Sequence, residues 1–388
     1  MRIAIIKSNY MPFGGGEKYA HYLVNAFAAR GHTTDVLTAE KEEWVGGAGI
    51  HKIHIPMSPV NNFLRLYTFN KGVVSYMRKH LDEYSCVLDM DRTVLQTHIR
   101  AGGGSHRGWL ERRRKVSSLV KNVTFSLNPF HNYMLHIEKQ SLKNPYLKKL
   151  ICISRIVQSD FLKYYDIDPE KTVVIHNGVE WDSFAGPFRE SMEQKDAIRR
   201  ELNFKQDMHY FLYVGSGYER KGVNFIINAL TLLPRYCYLV VIGKDRNERR
   251  FKIMAHEKGV ADRVLFLGPR QKRDVVRYLQ GADSFILPSV FEPFGSAAIE
   301  ALAMGLFTIT SASTGCSEII KEGCGTVVKT PWEIEDLAEG MRLALQSHDR
   351  TRIRESVREF SFDKKLQEII DLCLDVKTPD GSSSAGSR

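Results

Sequence analysis

Short apolar runs, each followed by a helix-length amphipathic segment, recur through both halves of the chain. In the first half Arg2–Lys7 reads as a strand and Asn9–Gly16 as a turn-rich loop ending in Gly14-Gly15-Gly16. Tyr19, Tyr22, Leu23, Ala26 and Phe27 then follow helical spacing, Gly31 stops the helix, and Thr34–Thr38 returns as a strand. This βαβ opening begins a doubly wound parallel sheet. Signals are weaker over 40–100, with a helix near Gly72–Leu81 and a strand near Cys86–Leu88. Leu150–Ile153, Val157–Tyr165 and Thr172–Ile175 continue as strand, helix and strand up to His176-Asn177-Gly178. A polar, charged stretch, Glu180–Gln206, separates this half from a second alternation. Its strands are Tyr210–Val214, Tyr238–Ile242, Val264–Leu267, Ser284–Leu287 and Phe307–Thr310. Two such sets in 388 residues predict an α/β protein of two Rossmann-like domains, 1–178 and 179–358. Phe362, Leu366, Ile369, Ile370 and Cys373 stripe a last helix within 359–376, with Ser361 as its N-cap. The tail, 377–388, has no apolar anchor and is expected to be disordered.

Composition narrows the class. With 43% hydrophobic and 26% charged residues the chain reads as a soluble globular protein. No stretch is apolar enough to span a bilayer, and the short start reads as a first strand and not as a signal peptide. The six cysteines (86, 152, 237, 316, 324, 373) show no CxxC pair and no metal-type clustering. They read as reduced structural cysteines of a cytosolic protein. Net charge is +10, and residues 100–150 hold eleven Lys/Arg against only Glu111 and Glu138. Nearly all the surplus therefore lies in one segment, interleaved with Trp109, Leu110, Val116, Leu119, Val120, Phe125, Tyr133, Met134 and Leu135.

The densest candidate site is Pro288-Ser-Val-Phe-Glu-Pro-Phe-Gly-Ser-Ala-Ala-Ile-Glu-Ala-Leu-Ala-Met-Gly305. A buried strand, a Pro/Ser/Gly loop and a helix place Glu292 in the loop and Glu300 about one turn into the helix. Fresh N–H groups at the helix start suit phosphate, and carboxylates accept hydrogen bonds from sugar hydroxyls. An ordinary strand–loop–helix joint with two solvated glutamates has the same local pattern. Val214-Gly-Ser-Gly-Tyr-Glu-Arg-Lys-Gly222 also leaves a strand, turns on glycines and presents Arg220 and Lys221. Such fixed cations can hold a diphosphate leaving group. The loop Asn9–Glu17 lacks GxGxxG spacing, so a dinucleotide fingerprint is not met, although its glycines still permit close ligand approach. Asp89-Met90-Asp91 has the form of a metal-binding DxD but has no clustered partner, and no metal is expected. Arg100-Ala-Gly-Gly-Gly-Ser-His106 carries a histidine able to bond a substrate hydroxyl, with His98 ranked below it.

These residues carry a resemblance. Glu292-Pro-Phe-Gly…Glu300 is similar to the E-x7-E motif of retaining, nucleotide-sugar-dependent GT-B glycosyltransferases, a group that includes glycogen and sucrose synthases. The Gly-Gly loop after the first strand, Gly-x6-Lys-Gly at Gly215–Gly222, Ala282-Asp-x-Phe-Ile-Leu-Pro-Ser289 and His176-Asn177-Gly178-Val179 match in order. The region Gly102–Arg114 most resembles the bacterial lipopolysaccharide core glucosyltransferase branch. The resemblance implies two Rossmann-like domains facing across a cleft, with the last helix returning to the N-terminal domain. It implies that Glu300 binds the ribose, Glu292 faces the donor sugar, and Arg220 and Lys221 hold the diphosphate. Phe294, Gly295, Ser296 and Ala297 would lie near sugar hydroxyls and phosphate, Gly215 at the phosphates, and Pro269-Arg270 by the base. Gly15, Gly16 and Glu17 would approach from the acceptor-binding domain, and His106 would lie near the donor sugar. Two departures stand out: Ser216 in place of arginine, and Thr314-Gly-Cys-Ser-Glu318 in place of Gly-Gly-x-Pro-Glu.

The implied activity is metal-independent hexosyl transfer, with retention, from a UDP-sugar co-substrate, glucose being favoured within the family. No separate cofactor is expected. The acceptor would be a phosphorylated glycolipid or lipopolysaccharide core, met at the inner face of the cell membrane. Residues 100–150 would contact the anionic surface peripherally. A solvated basic face is the plainer explanation of the same charge. The alternatives are another nucleotide sugar with a soluble acceptor, a basic nucleic-acid-binding protein, and a nicotinamide-dependent dehydrogenase. The second has no recognised module and the third has no fingerprint.

Overall fold

The computed structural model describes residues 1–10, 15–41, 47–116 and 127–375. It divides into two compact units, Met1–His176 joined by the segment from Lys365 onward, and Asn177–Lys364. The predicted tail, 377–388, lies outside the described residues, as do Leu119, Val120 and Phe125 of the basic segment.

The first unit holds β1 (Arg2–Ile6), β2 (Thr33–Thr38), β3 (Ile50–His54), β4 (Cys86–Asp89), β5 (His98–Ala101), β6 (Lys149–Cys152) and β7 (Thr172–Val174). They form one sheet in the order β3-β2-β1-β4-β5-β6-β7, every pair parallel. A parallel sheet carries helices on both faces, so its central strands are near-continuous apolar runs. Ile3, Ala4, Ile5 and Ile6 of β1 are accordingly fully buried. The helix Phe362–Cys373 belongs to this unit and buries Leu366, Ile369, Ile370 and Cys373.

The second unit holds β8 (His209–Val214), β9 (Cys237–Ile242), β10 (Val264–Gly268), β11 (Ser284–Leu287), β12 (Phe307–Ser311) and β13 (Gly325–Val328). Their order is β10-β9-β8-β11-β12-β13, again parallel throughout. In both sheets the order reverses once, between β1 and β4 and between β8 and β11. Loops leaving the two flanking strands part in opposite directions there and open a crevice at the carboxyl edge.

Several elements differ from the sequence expectation. Glu180–Gln206, read only as a polar, charged stretch between the two alternations, is largely helical. It forms the helices Ala185–Glu193 and Lys195–Glu201 within the second unit. Arg277 of the helix Lys272–Gly281 pairs with both Glu190 and Glu201. Arg199 and Lys195 pair with Asp283. The helix expected near Gly72 begins at Asn62, where the Asn61 side chain accepts from Leu64 N–H at 2.9 Å. The strands β3, β5 and β13 were not foreseen. At the crossing point Val179 N–H donates to Phe360 O at 2.9 Å and Phe362 N–H to Val179 O at 2.8 Å. Ser361 itself pairs with Val179 in an isolated bridge immediately before the last helix. A Cβ on Gly178 would sit 2.7 Å from Phe362 Cα, so this close passage of two backbones requires glycine.

Candidate active site

In the second unit the loops after β8 and β11 flank the reversal of strand order. Gly222 ends the first loop in a left-handed conformation (φ +84°), and a Cβ there would lie 2.2 Å from Pro288 O. The two loops therefore touch backbone to backbone at Gly222 and Pro288. Val290 N–H donates to Arg220 O at 2.9 Å and extends the seam.

That seam brings Arg220, Lys221 and Glu292 together. Glu292 Oε2 lies 2.9 Å from Arg220 Nη1 and 3.1 Å from Lys221 Nζ. Arg220 Nη1 also donates to Phe291 O at 2.7 Å. The Lys221 and Glu292 side chains are each 15% exposed, so their charges are partly shielded from water, whereas Arg220 is 45% exposed. Two cations against one carboxylate leave the cluster net positive, which suits an anion arriving at the crevice. The Lys221 stem lies over Gly215: a Cβ on Gly215 would meet its Cδ at 2.8 Å and Nζ at 3.1 Å.

Glu292 is also held through its backbone. Its N–H donates to Ser313 O at 3.0 Å, its carbonyl accepts from Gly315 N–H at 2.9 Å, and Phe294 O accepts from Cys316 N–H at 2.7 Å. Thr314–Glu318, the loop that departs from the family pattern, thus acts as the backbone clamp on Glu292–Phe294. Gly295 then adopts φ +88° and starts the helix Ser296–Ala303, with no side chain capping its first N–H groups. Phe294 is buried, Ser296 exposed and Ala297 half-buried, so only the helix start is open to a ligand. Glu300 stands half-buried on the second turn of that helix. Pro269 and Arg270 follow β10, two strands from β8 and about 10 Å across the sheet edge.

The first unit treats its candidates differently. Gly15, Gly16 and Glu17 form the first turn of the helix Gly15–Ala29 after β1. Asp89 is buried and accepts from the N–H groups of Asp91 (2.9 Å) and Thr93 (2.8 Å). Asp91 takes Lys7 Nζ at 2.7 Å and Ser8 N–H at 2.6 Å. Asp89 therefore braces the loop after β4, and Asp91 ties that loop to the end of β1. His106 opens the helix His106–Val116, but its ring is buried. Its Nε2 is 3.1 Å from His131 Nδ1, its ring stacks on Trp109, and its N–H donates to Glu138 at 2.9 Å. Burial, with Arg92 and His131 adding to it, pushes the His106 pKa down to about 3, so the ring is neutral. His98 begins β5, fully buried, at the sheet edge away from the loops after β1 and β4.

Comparison with known proteins identifies the family of the chain. Residues 194–360 match the family of glycosyl transferases group 1, and residues 13–182 match glycosyltransferase family 4. The chain belongs to the GT-B glycosyltransferases. The enzyme is 27% identical over 387 residues to the lipopolysaccharide glucosyltransferase WaaG of Escherichia coli (strain K12), covering 97% of this chain and 99% of the relative. A crystal structure of WaaG, a glycosyltransferase involved in lipopolysaccharide biosynthesis, superposes with a TM-score of 0.74 at 24% identity, covering 96% of this chain and 99% of that one. Sucrose-phosphate synthase from Thermosynechococcus elongatus superposes with a TM-score of 0.75 at 22% identity, covering 96% and 98%. Anabaena HepE in complex with UDP and glucose gives 0.66 at 18%, covering 96% and 99%. These structural likenesses establish the two-domain fold.

Some residues of the glycosyltransferase that shape the crevice were not singled out from sequence. Gly243, after β9, adopts φ +141° and packs where a Cβ would lie 2.0 Å from Gly215 O. Lys244 N–H donates to Ser216 Oγ at 3.3 Å, and Asp245 accepts from Tyr218 N–H at 2.8 Å. Ser216, the departure from arginine, thus links the loops after β8 and β9. A glycine directly after an apolar strand, Ile242-Gly243-Lys244-Asp245, was the available signal. The basic segment is also less open than its composition implied. Arg100 is buried over the Tyr19 ring, Arg112 is bidentate on Asp160 (2.9 and 2.7 Å), and Lys149 donates to Glu170 O at 2.7 Å. Arg113 lies over the Trp109 ring and is exposed.

Proposed function

We propose that this glycosyltransferase moves a hexosyl group, glucose, from a UDP-sugar to a phosphorylated glycolipid or lipopolysaccharide core acceptor, with retention of anomeric configuration. The observation that carries the proposal is the Arg220–Glu292–Lys221 cluster at the reversal of strand order, beside the helix start at Ser296. A nucleoside diphosphate needs fixed positive charge and N–H donors, and both converge there. The names of WaaG, a lipopolysaccharide glucosyltransferase, and of HepE with UDP and glucose support the donor and acceptor classes.

In this reading Arg220 and Lys221 stabilise the diphosphate as the glycosidic bond breaks. Glu292 divides its carboxylate between those cations and the donor sugar, and Glu300 accepts from the ribose hydroxyls. Gly215 gives Lys221 room, while Gly295, Ser296 and Ala297 present the helix start and Pro269-Arg270 lie by the base. Gly15, Gly16 and Glu17 serve from the N-terminal unit. His106, neutral and bonded to His131, acts as a polar neighbour of the donor sugar and carries no charge. Turnover depends on positioning and electrostatics, with the cations in place of a metal. The enzyme works at the inner membrane face, where the remaining exposed cations of 100–150 meet anionic lipid. Among the described residues no helix is long and apolar enough to cross a membrane.

A panel of nucleotide sugars tests the donor: UDP-glucose should raise the thermal midpoint and be turned over, without added Mg2+ or Mn2+. Preferential stabilisation by a GDP- or ADP-sugar would overturn the donor assignment. An inverted anomer in the product, read by NMR, would overturn retention. Co-sedimentation with anionic but not neutral vesicles tests the membrane contact, and equal binding to both refutes it.

A further inference from the structure

Cys86 opens β4, His98 opens β5, and Cys373 ends the helix Phe362–Cys373. Nothing in the spacing of these residues signals a cluster. The parallel pairing of β4 with β5 nevertheless sets Cys86 and His98 at the amino ends of adjacent strands, and the terminal helix brings Cys373 to the same place. Exposure is 0%, 0% and 2%, and one ligand atom from each lies within 4.8 Å of the other two. Cys86 Sγ is 3.3 Å from His98 Nδ1, and the Cys373 sulfur lies within 4.8 Å of Cys86 Sγ and of a ring nitrogen of His98.

Thr97 orients the imidazole. Its Oγ1 donates to Val87 O at 3.2 Å and accepts from Val87 N–H at 2.8 Å, so its proton is committed. His98 Nδ1, 2.9 Å from the same oxygen, then donates to it and carries the ring proton. The other nitrogen, Nε2, is buried without a hydrogen-bond partner. A buried imidazole nitrogen left unpartnered, in a side chain that touches Cys86 through its other nitrogen, is unusual for a core, where polar groups are normally satisfied. A histidine whose second nitrogen donates to a fixed oxygen is the arrangement usual around a metal ligand.

We propose that Cys86, His98 and Cys373 bind a thiophilic d10 cation, with Zn2+ as the reference ion. On binding, each thiol releases its proton to solvent and one imidazole nitrogen gives its lone pair. Two thiolates cancel the divalent charge, so the buried unit is neutral and avoids the cost of an isolated interior charge. Zn–S bonds of about 2.3 Å and Zn–N bonds of about 2.0–2.1 Å place ligand atoms roughly 3.5–3.8 Å apart. Side-chain adjustments within the 4.8 Å cluster reach that spacing. The site lies at the amino edge of the sheet, opposite the loops that follow the strands, so its role is to fasten the terminal helix to β4 and β5. It has no part in sugar transfer.

Titrating the full-length, reduced enzyme with Cd2+ should give a thiolate-to-metal charge-transfer band that saturates at one equivalent. The separate variants Cys86→Ser and Cys373→Ser should each lose it. Zn2+ at a hundredfold its Kd should raise the thermal midpoint by about 5–11 °C, and a chelator should reverse the shift. Absence of the band in the unmodified enzyme would overturn the proposal, as would its survival in both variants. Four titratable thiols instead of six in the denatured, freshly reduced and desalted chain, showing a Cys86–Cys373 disulfide, would also overturn it.

Discussion

Replacing Gly222 by alanine tests whether the crevice depends on backbone contact between its two loops, and Gly217 supplies an internal control. The two glycines share one loop and nearly one conformation, φ +84° and +81°. An L-residue there costs about 1–2 kcal/mol from its own backbone sterics, and this cost is common to both positions. At Gly217 a Cβ meets nothing within 4 Å. At Gly222 it would lie 2.2 Å from Pro288 O and 3.1 Å from Pro288 C. Relief requires a shift of about 1 Å in a backbone carbonyl, and overpacking of that kind costs about 1–3 kcal/mol more. Gly217→Ala should therefore lose about 1–2 kcal/mol, and Gly222→Ala about 2–5 kcal/mol. At about 2–4 °C per kcal/mol for a domain of this size, the two melting midpoints should separate by several degrees. Because Pro288 leads directly to Glu292, Gly222→Ala should also weaken UDP binding beyond its effect on melting, measured by calorimetry on folded protein. Equal midpoints for the two variants would refute the reasoning, since conformation alone would then account for both.

Three further outcomes are expected. Lys221→Ala should lower kcat by about 10²–10³-fold with an unchanged melting midpoint, and turnover within tenfold of the parent would remove Lys221 from the diphosphate. Glu300→Ala should raise the Kd for UDP by about 10–100-fold, as befits hydrogen bonds to a charged acceptor, while leaving affinity for glucose 1-phosphate unchanged; parallel losses for both ligands would contradict a ribose role. Burial pushes the His209 pKa down to about 4 against an ordinary 6.5. The unfolded chain therefore protonates first on acidification, and stability should fall from about pH 6.5 to pH 4 by at most about 1.4 kcal/mol per pH unit from this group. Urea midpoints across that range should fall less steeply in His209→Gln, and identical slopes would exclude the assignment.

What was legible in the sequence followed the chemistry of burial. The strands β1, β8, β9 and β11 lie in sheet interiors and read as plain apolar runs. β3, Ile50-His-Lys-Ile-His, is an edge strand and half-exposed, so its sequence alternates without a clear run. β5 is buried yet carries His98 and Arg100, which meet Thr97 and Cys86 through the imidazole Nδ1 and the Tyr19 ring through the guanidinium. No local pattern announces such partners. The cations and carboxylates of the crevice were visible because loops after strands gather there in any sheet of this order. Long-range partners were not: His131 against His106, Asp160 against Arg112 and Cys373 near Cys86 are set by tertiary packing alone.

The seven-residue interval between Glu292 and Glu300 has a structural reason. Glu292 forms an isolated bridge with Thr314, and its backbone is clamped on both sides. Gly295 turns the chain through a left-handed conformation, and the helix begins at Ser296. Glu300 is the fifth helical residue, and helical side chains tilt toward the helix N-terminus. Its carboxylate therefore leans back toward the sheet edge from which the helix departs, where the Glu292 loop and its two cations lie. One residue added between Ser296 and Glu300 would turn the second carboxylate by about 100° around the helix and carry it off that face. The spacing thus couples a carboxylate fixed by a loop to one aimed by a helix, and neither position can shift along the chain without losing the other.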